Sequence, residues 1–332
     1  MNGHGEVGVI GAGAWGTALA LTAARAGREV LLAGRDAGVI AAITVGENPR
    51  YLPGVALTPR FSATTDMKAA ARAPIVLLAT PAQSTRAVLG QIAGAIAPGT
   101  PLVLTAKGIE AETGRLLSEI VAEVVPQAIP CVLSGPSFAT DVARGLPTAV
   151  TIAAPRESIA ERLARSLASQ TFRPYISTDL RGVQIGGALK NVLAIAAGVV
   201  AGHNLGPSAQ AALIARGFAE LSRLGKALGA RPETLTGLSG LGDLVLTCSS
   251  PQSRNFSFGM ALGEGSTIAD LLAPGAKLAE GAHTAAIAIR IAREHDIELP
   301  IAEAVDDVIA GRVTVREVIT RLMDRPLKRE DV

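Results

Sequence analysis

Val7-Gly8-Val9-Ile10-Gly11-Ala12-Gly13-Ala14-Trp15-Gly16 is the stretch on which the fold turns. Four residues suited to a buried strand run directly into a GxGxxG pattern. Residues 14–26, rich in alanine, then read as a helix that Gly27 can end. In isolation the glycine pattern is weak. Between a strand and a helix, at the start of a βαβ unit, it is specific. Gly11 allows the tight turn, Gly13 lets backbone approach a pyrophosphate, and Gly16 lets helix and strand pack closely. The helix start adds unsatisfied N–H groups and the positive end of its dipole. The stretch therefore implies a dinucleotide held by backbone.

Outward from there, strands are expected at residues 29–33, 75–79, 102–104, 131–133 and 149–153, with helical sequence between them. Continuous apolar strands alternating with helices indicate a parallel sheet covered on both faces. Strand signals fade after about Tyr175. Residues 182–201, 209–228, 279–294 and 301–310 read as helices, the first two rich in small residues. The expectation is an α/β chain: an N-terminal Rossmann-type, doubly wound, mostly parallel sheet over residues 1–178, and an all-helical domain over 179–332. A length of 332 residues suits two cores.

Composition excludes several classes. A net charge of +2 with 3% aromatic residues gives no basic, aromatic surface for nucleic acid. Four scattered histidines and two cysteines, Cys131 and Cys248, have no metal-ligand spacing, so no metal is expected. Two isolated thiols fit a reducing compartment at least as well as one disulfide. Residues 1–6 carry no basic n-region, and residues 192–202 fall short of the roughly 20 needed to span a bilayer. A cytoplasmic protein without membrane insertion is expected.

The strand-2 end reads Gly34-Arg35-Asp36. An acid there binds the ribose 2′-hydroxyl of NAD, whereas an arginine accommodates the 2′-phosphate of NADP. Arg35 implies that NADP is accepted, and Asp36 leaves NAD possible. Trp15 is read either as a cover for the cofactor or as core packing.

Lys190 stands on the long apolar helix behind Gly186-Gly187, followed by Asn191. A lysine in such surroundings snorkels to water or faces a cleft. Desolvation favours its neutral form, which suits proton exchange with a carbonyl receiving hydride. Lys107 follows a strand, at the sheet edge where ligands of open α/β folds bind, and Gly135 and Ser137 lie in a second such turn. Asp243 closes a glycine-rich run and is expected to pair with Lys190 or bind a substrate hydroxyl. Ser253-Arg254-Asn255 reads as a helix start combining a guanidinium fork with neutral donors, a plausible phosphate cradle.

Six segments resemble bacterial NAD(P)-dependent glycerol-3-phosphate dehydrogenases: GAGAWGTALA at 11–20, NPRYLPG at 48–54, AKGIE at 106–110, SGPSFA at 134–139, GGALKNVLAIAAG at 186–198 and GLSGLGDLVLTCSSPQSRN at 237–255. The resemblance implies interconversion of sn-glycerol 3-phosphate and dihydroxyacetone phosphate with NAD or NADP, supplying phospholipid synthesis. It implies Lys190 as the proton acceptor and donor. It places Lys107, Gly135, Ser137, Asp243, Ser253, Arg254 and Asn255 on the small phosphorylated substrate. It places Ala14, Trp15, Arg35, Tyr51, Lys107, Ala139, Arg254, Leu278 and Glu280 on the cofactor, beside the glycines. Leu278 and Glu280 rest on the resemblance alone.

Two departures stand out. The family usually has Ser or Asn at the position of Ala14, so one side-chain hydrogen bond to the cofactor is lost. It usually reads G-x-N-x-x-A-A-L where this chain has Gly206-Pro207-Ser208-Ala209-Gln210-Ala211-Ala212-Leu213. That bears on packing and turnover, not on reaction class. The alternatives are a lysine-dependent hydroxyacid or ketopantoate-type dehydrogenase, or a non-catalytic dinucleotide sensor. A homodimer is an open expectation with no residue assigned to it.

Overall fold

The computed structural model describes residues 6–271, 273, 279–327 and 329. His4, Lys277 and Leu278 lie outside the described residues. The chain divides into two compact units, Met1–Gly187 with Leu228–Asp243, and Ala188–Ala227 with Leu244–Val332.

The first unit holds an eight-stranded sheet and a two-stranded one. In chain order the strands are β1 (Val7–Ile10), β2 (Val30–Ala33), β3 (Glu47–Asn48), β4 (Leu52–Ala56), β5 (Ser62–Thr64), β6 (Ile75–Leu78), β7 (Pro101–Leu104), β8 (Ile129–Ser134), β9 (Thr148–Ala153) and β10 (Phe172–Ser177). The large sheet runs β10-β9-β8-β7-β6-β1-β2-β5, and β3 pairs with β4 apart from it. All neighbours in the large sheet are parallel except β8 and β9, which pair antiparallel with Ser134 opposite Thr151. The strand order reverses direction at β1, between β2 and β6. Such a switch point opens a crevice at the carboxyl ends of the strands.

Strands such as Ile75–Leu78 and Pro101–Leu104 are apolar throughout because both faces are covered. Val9, Leu77, Val103 and Leu133 join one core with Leu19, Ile43 and Leu163 of helices Ala14–Arg25, Ala37–Val45 and Glu157–Leu167. Ile10, Leu78, Leu104 and Val132 join another with Leu89 and Ile120 of helices Thr85–Ile92 and Leu117–Val124. The expected strands are present. Strands β3, β4 and β5 are short, part-exposed pieces with no run of apolar residues to announce them.

The second unit is helical throughout its described residues, as expected. Helix Leu180–Gly202 is 23 residues long and is the one helix among the described residues apolar enough to cross a membrane by length and composition; 83% of its apolar window is buried. The two compact units part inside it, after Gly187. Its first turns belong with the sheet: Val183 joins the sheet's second core, and a β-carbon on Gly186 would lie 2.6 Å from Ser239 O.

Within the second unit, helix Arg254–Gly263 crosses the later turns of that helix with backbone against backbone. A β-carbon on Gly198 would lie 2.0 Å from Phe256 O, and one on Gly202 2.1 Å from Met260 O. From the other side, a β-carbon on Gly259 would lie 1.9 Å from Ile195 O, and one on Gly263 2.5 Å from Val199 O. Both helices thus carry glycine at a four-residue spacing on the facing side, the small-xxx-small device for close approach. The contact fixes where residues 253–255 begin relative to Lys190.

Glu220, on helix Pro207–Ala227, is buried, and its carboxylate accepts the N–H groups of Ile301 (2.8 Å) and Ala302 (3.3 Å). It thereby satisfies the start of helix Pro300–Ile309. Burial pushes its pKa up to about 7, against the opposing pull of those two N–H groups and Arg223.

Gly259→Ala is expected to cost about 1–3 kcal/mol of stability, the usual range for overpacking a tight interface, read as a lowered urea midpoint. An unchanged midpoint would mean the two helices are not held at this distance. Glu220 binds its proton more tightly in the folded chain, so its contribution is complete below the unfolded value of 4.5 and is lost as pH rises through about 7. Glu220→Gln keeps an acceptor for Ile301 and removes the titration. Thermal denaturation followed across that window is expected to show wild-type stability falling relative to Glu220→Gln; parallel profiles would contradict it.

Candidate active site

The glycine turn lies at the switch point. Gly11 has φ +117°, and a β-carbon there would strike Ala79 O at 2.5 Å. A β-carbon on Gly16 would lie 1.8 Å from Gly11 O, so helix and turn touch through backbone. At Gly13 a β-carbon would meet nothing within 4 Å, and this residue caps helix Ala14–Arg25 without any side-chain hydrogen bond. A glycine cap brings no side-chain acceptor to the first N–H groups of that helix. These features fit a dinucleotide pyrophosphate, with one glycine each for the turn, the close packing and the ligand's approach. Ala14 brings only backbone to this edge. Trp15 is partly buried and packs against the core below it, as does Ala139 at the start of helix Ala139–Ala143.

Asn48 braces the turn. It is buried, and its Nδ2 donates to Ala12 O (3.1 Å) and Thr17 Oγ1 (2.9 Å). Two residues on, Arg50 lies over the ring of exposed Tyr51, 5.3 Å from its centroid. Arg35 is exposed at the end of β2. Asp36 is occupied on both oxygens: Oδ1 accepts Val39 N–H (3.1 Å) to cap helix Ala37–Val45, and Oδ2 pairs with Arg50 Nη1 (2.7 Å). The Val39 N–H bond leads the causes that hold this carboxyl below its usual range.

Lys107 extends from the loop after β7. Its Nζ donates to Gly135 O (3.1 Å) and pairs with Asp243 Oδ2 at 2.6 Å. Gly135 has φ +146°, and its carbonyl also accepts the Ser137 hydroxyl (3.0 Å). Asp243 is 1% exposed and follows the π-helical turn Leu238–Gly242. The sequence offers Asp243 to Lys190 or to a substrate hydroxyl; its ion pair with Lys107 is a pairing the sequence does not single out.

In the second unit, Lys190 is 6% exposed and its Nζ donates to Thr247 Oγ1 at 2.6 Å. Thr247 lies four residues after Asp243 on helix Asp243–Cys248, an i,i+4 spacing that puts both on one face. That spacing is legible in the sequence, which nevertheless does not mark Thr247 as functional. Ser253 caps helix Arg254–Gly263 through Phe256 N–H (3.2 Å), leaving Arg254 exposed on its first turn. Asn255 Oδ1 accepts Gly281 N–H (2.9 Å), and a β-carbon on Gly281 would lie 2.4 Å from Asn191 O. Asn191, Asn255 and the Glu280-Gly281 start of helix Glu280–Glu294 therefore converge. No spacing in the sequence announces this. Leu278 lies outside the described residues.

Both cysteines are buried and outside any disulfide, and burial pushes the Cys131 thiol up to about 12, so it is inert at neutral pH. Among the described residues no three of His, Cys, Asp and Glu come together as metal ligands.

Comparison with known proteins adds the family. The family model described as NAD-dependent glycerol-3-phosphate dehydrogenase N-terminus matches residues 6–160, and the one described as its C-terminus matches residues 179–320. A Bradyrhizobium (strain ORS 278) protein named glycerol-3-phosphate dehydrogenase [NAD(P)+] is 57% identical over 326 residues, 98% of each chain. The crystal structure of glycerol-3-phosphate dehydrogenase from Coxiella burnetii superposes with a TM-score of 0.91 at 37% identity, covering 97% of this chain and 99% of that one. A ketopantoate reductase from Ralstonia eutropha shares the fold alone, at 18% identity and a TM-score of 0.58 over 95% of this chain and 99% of that one. With both halves matched and the whole length aligned at such identity, the chain belongs to the NAD-dependent glycerol-3-phosphate dehydrogenase family.

Proposed function

We propose that the chain interconverts sn-glycerol 3-phosphate and dihydroxyacetone phosphate with NAD or NADP, and that Lys190 moves the proton. The observation carrying this reading is the buried Lys190 ammonium with its short bond to Thr247 Oγ1 on a helix of apolar residues. A lysine kept from water, with a hydroxyl to fix its direction, is suited to exchange a proton with the C2 oxygen. When bound, the nicotinamide supplies or accepts the hydride.

The other residues serve binding and charge. Lys107, steadied by Asp243, and Asn191 stabilise negative charge developing on the C2 oxygen. Gly135, Ser137 and Asp243 contact the substrate's hydroxyl end. Ser253, Arg254 and Asn255 hold the phosphate, Arg254 through its guanidinium and the helix start through its N–H groups. Grip on that remote phosphate orients the carbonyl. Gly11, Gly13, Ala14, Trp15, Gly16, Arg35, Tyr51, Lys107, Ala139, Arg254, Leu278 and Glu280 face the cofactor. In this reading residues 1–178 form the dinucleotide-binding domain, which also lends Lys107, Gly135 and Ser137 to the substrate, and residues 179–332 form the substrate-binding domain, which lends Arg254, Leu278 and Glu280 to the cofactor. The product feeds phospholipid synthesis in the cytoplasm, and the chain assembles as a homodimer.

The test is NADH and NADPH oxidation with dihydroxyacetone phosphate, followed by absorbance. Lys190→Ala is expected to lower kcat by at least about a hundredfold, the scale of general acid–base catalysis, with cofactor affinity little changed. Near-normal turnover would remove Lys190 from the mechanism. A non-phosphorylated 2-keto acid turned over faster than dihydroxyacetone phosphate would replace the substrate assignment.

A further inference from the structure

We infer that Arg50, together with Arg35, forms a receptor for the 2′-phosphate of NADP, and that Asp36 serves that receptor rather than a ribose hydroxyl of NAD. The inference rests on the dinucleotide reading above and names a residue that distinguishes the two cofactors.

The end of the second strand of a dinucleotide fold is where the ribose 2′ position lies, and a free acid there selects NAD. This chain has an acid in that stretch, but its carboxylate is already committed. Oδ1 caps helix Ala37–Val45 through Val39 N–H, and Oδ2 binds Arg50 Nη1. Gly34, just before, packs on the glycine turn, since a β-carbon there would lie 2.5 Å from Ala12 Cβ. The Gly34-Arg35-Asp36 stretch therefore leaves the sheet directly beside the turn.

Arg50 comes from a different segment but is aimed at the same place. Asn48 ties its segment to Ala12 O and Thr17 Oγ1 on the turn itself, the Tyr51 ring lies beneath the guanidinium, and Asp36 holds one edge of it. Such an arginine gives up little side-chain freedom on binding, and its remaining N–H groups form a fork that matches a phosphate. Two cations, Arg35 and Arg50, and one anion, Asp36, leave this corner with a surplus positive charge. A 2′-phosphate answers that surplus; a 2′-hydroxyl does not.

Calorimetric titration of the full-length protein with adenosine 2′,5′-bisphosphate and with adenosine 5′-monophosphate tests this without turnover. The bisphosphate is expected to bind at least about tenfold more tightly, and Arg50→Gln to remove about tenfold of that preference while leaving the monophosphate unchanged, the scale of a charge-assisted hydrogen bond. The preference should also shrink as salt rises, because the site is exposed. Asp36→Asn retains a capping side chain, so NADH affinity is expected to stay within about threefold of wild type. Equal affinity for the two probes, a preference indifferent to Arg50→Gln, or a tenfold loss of NADH affinity in Asp36→Asn would each overturn the inference. Binding of neither NADH nor NADPH would overturn the dinucleotide reading and this inference with it. Probe binding as expected, without oxidation of NADPH by dihydroxyacetone phosphate, would uphold the inference and sink the proposed substrate.

Discussion

Contact of backbone with backbone, where no β-carbon can fit, is the constraint on which each of the two units depends. At Gly16 the first helix sits directly on the glycine turn, and at Gly198, Gly202, Gly259 and Gly263 two helices of the second unit meet the same way. Each contact sets a distance that no side chain can relax. Interiors are packed as densely as organic crystals, so a methyl group added at such a point must displace an element. The elements concerned carry the glycine turn, Lys190 and residues 253–255. Their places are thus set by glycine backbone rather than by side chains.

The charged groups obey a second constraint, desolvation. Lys107 and Asp243 form a pair in which the acid is almost wholly buried and the cation nearly so. Such a pair gains little over two apolar residues, yet removing one member strands the other in low dielectric and costs several kcal/mol. The pair is best understood as holding an ammonium in a fixed place at the sheet's carboxyl edge. Lys190 is buried as well, and its Nζ donates to the Thr247 hydroxyl. A fixed direction for the amine is what a group exchanging protons requires.

Much of this was legible in the sequence because it follows from local pattern. The apolar strands, the glycine turn, the long helices and the start of helix Arg254–Gly263 at Ser253 are each specified by residues within a few positions of one another. What was not legible depends on partners far along the chain. Asn48 reaches back to Ala12 and Thr17, Lys107 finds Asp243, and Asn255 meets Gly281. The division inside helix Leu180–Gly202 is of the same kind: the helix is continuous, and only the packing of Gly186 against Ser239 and of Val183 into the sheet assigns its first turns. The antiparallel β9 escaped notice because a buried strand reads the same in either direction.

The first departure from the family pattern, at Ala14, falls where backbone carries the interaction. Ala14 lacks a hydroxyl or amide, but it is the first residue of helix Ala14–Arg25, where the positive end of the dipole remains. A side-chain donor there adds to a field that persists without it. Ser208, which stands where the family has Asn, is exposed in the first turn of helix Pro207–Ala227, and nothing in the structure explains that substitution. Pro207 is the first residue of the same helix, following Gly206 at φ +87°. At that position its missing N–H would have had no acceptor in the helix, and its fixed φ suits the first turn.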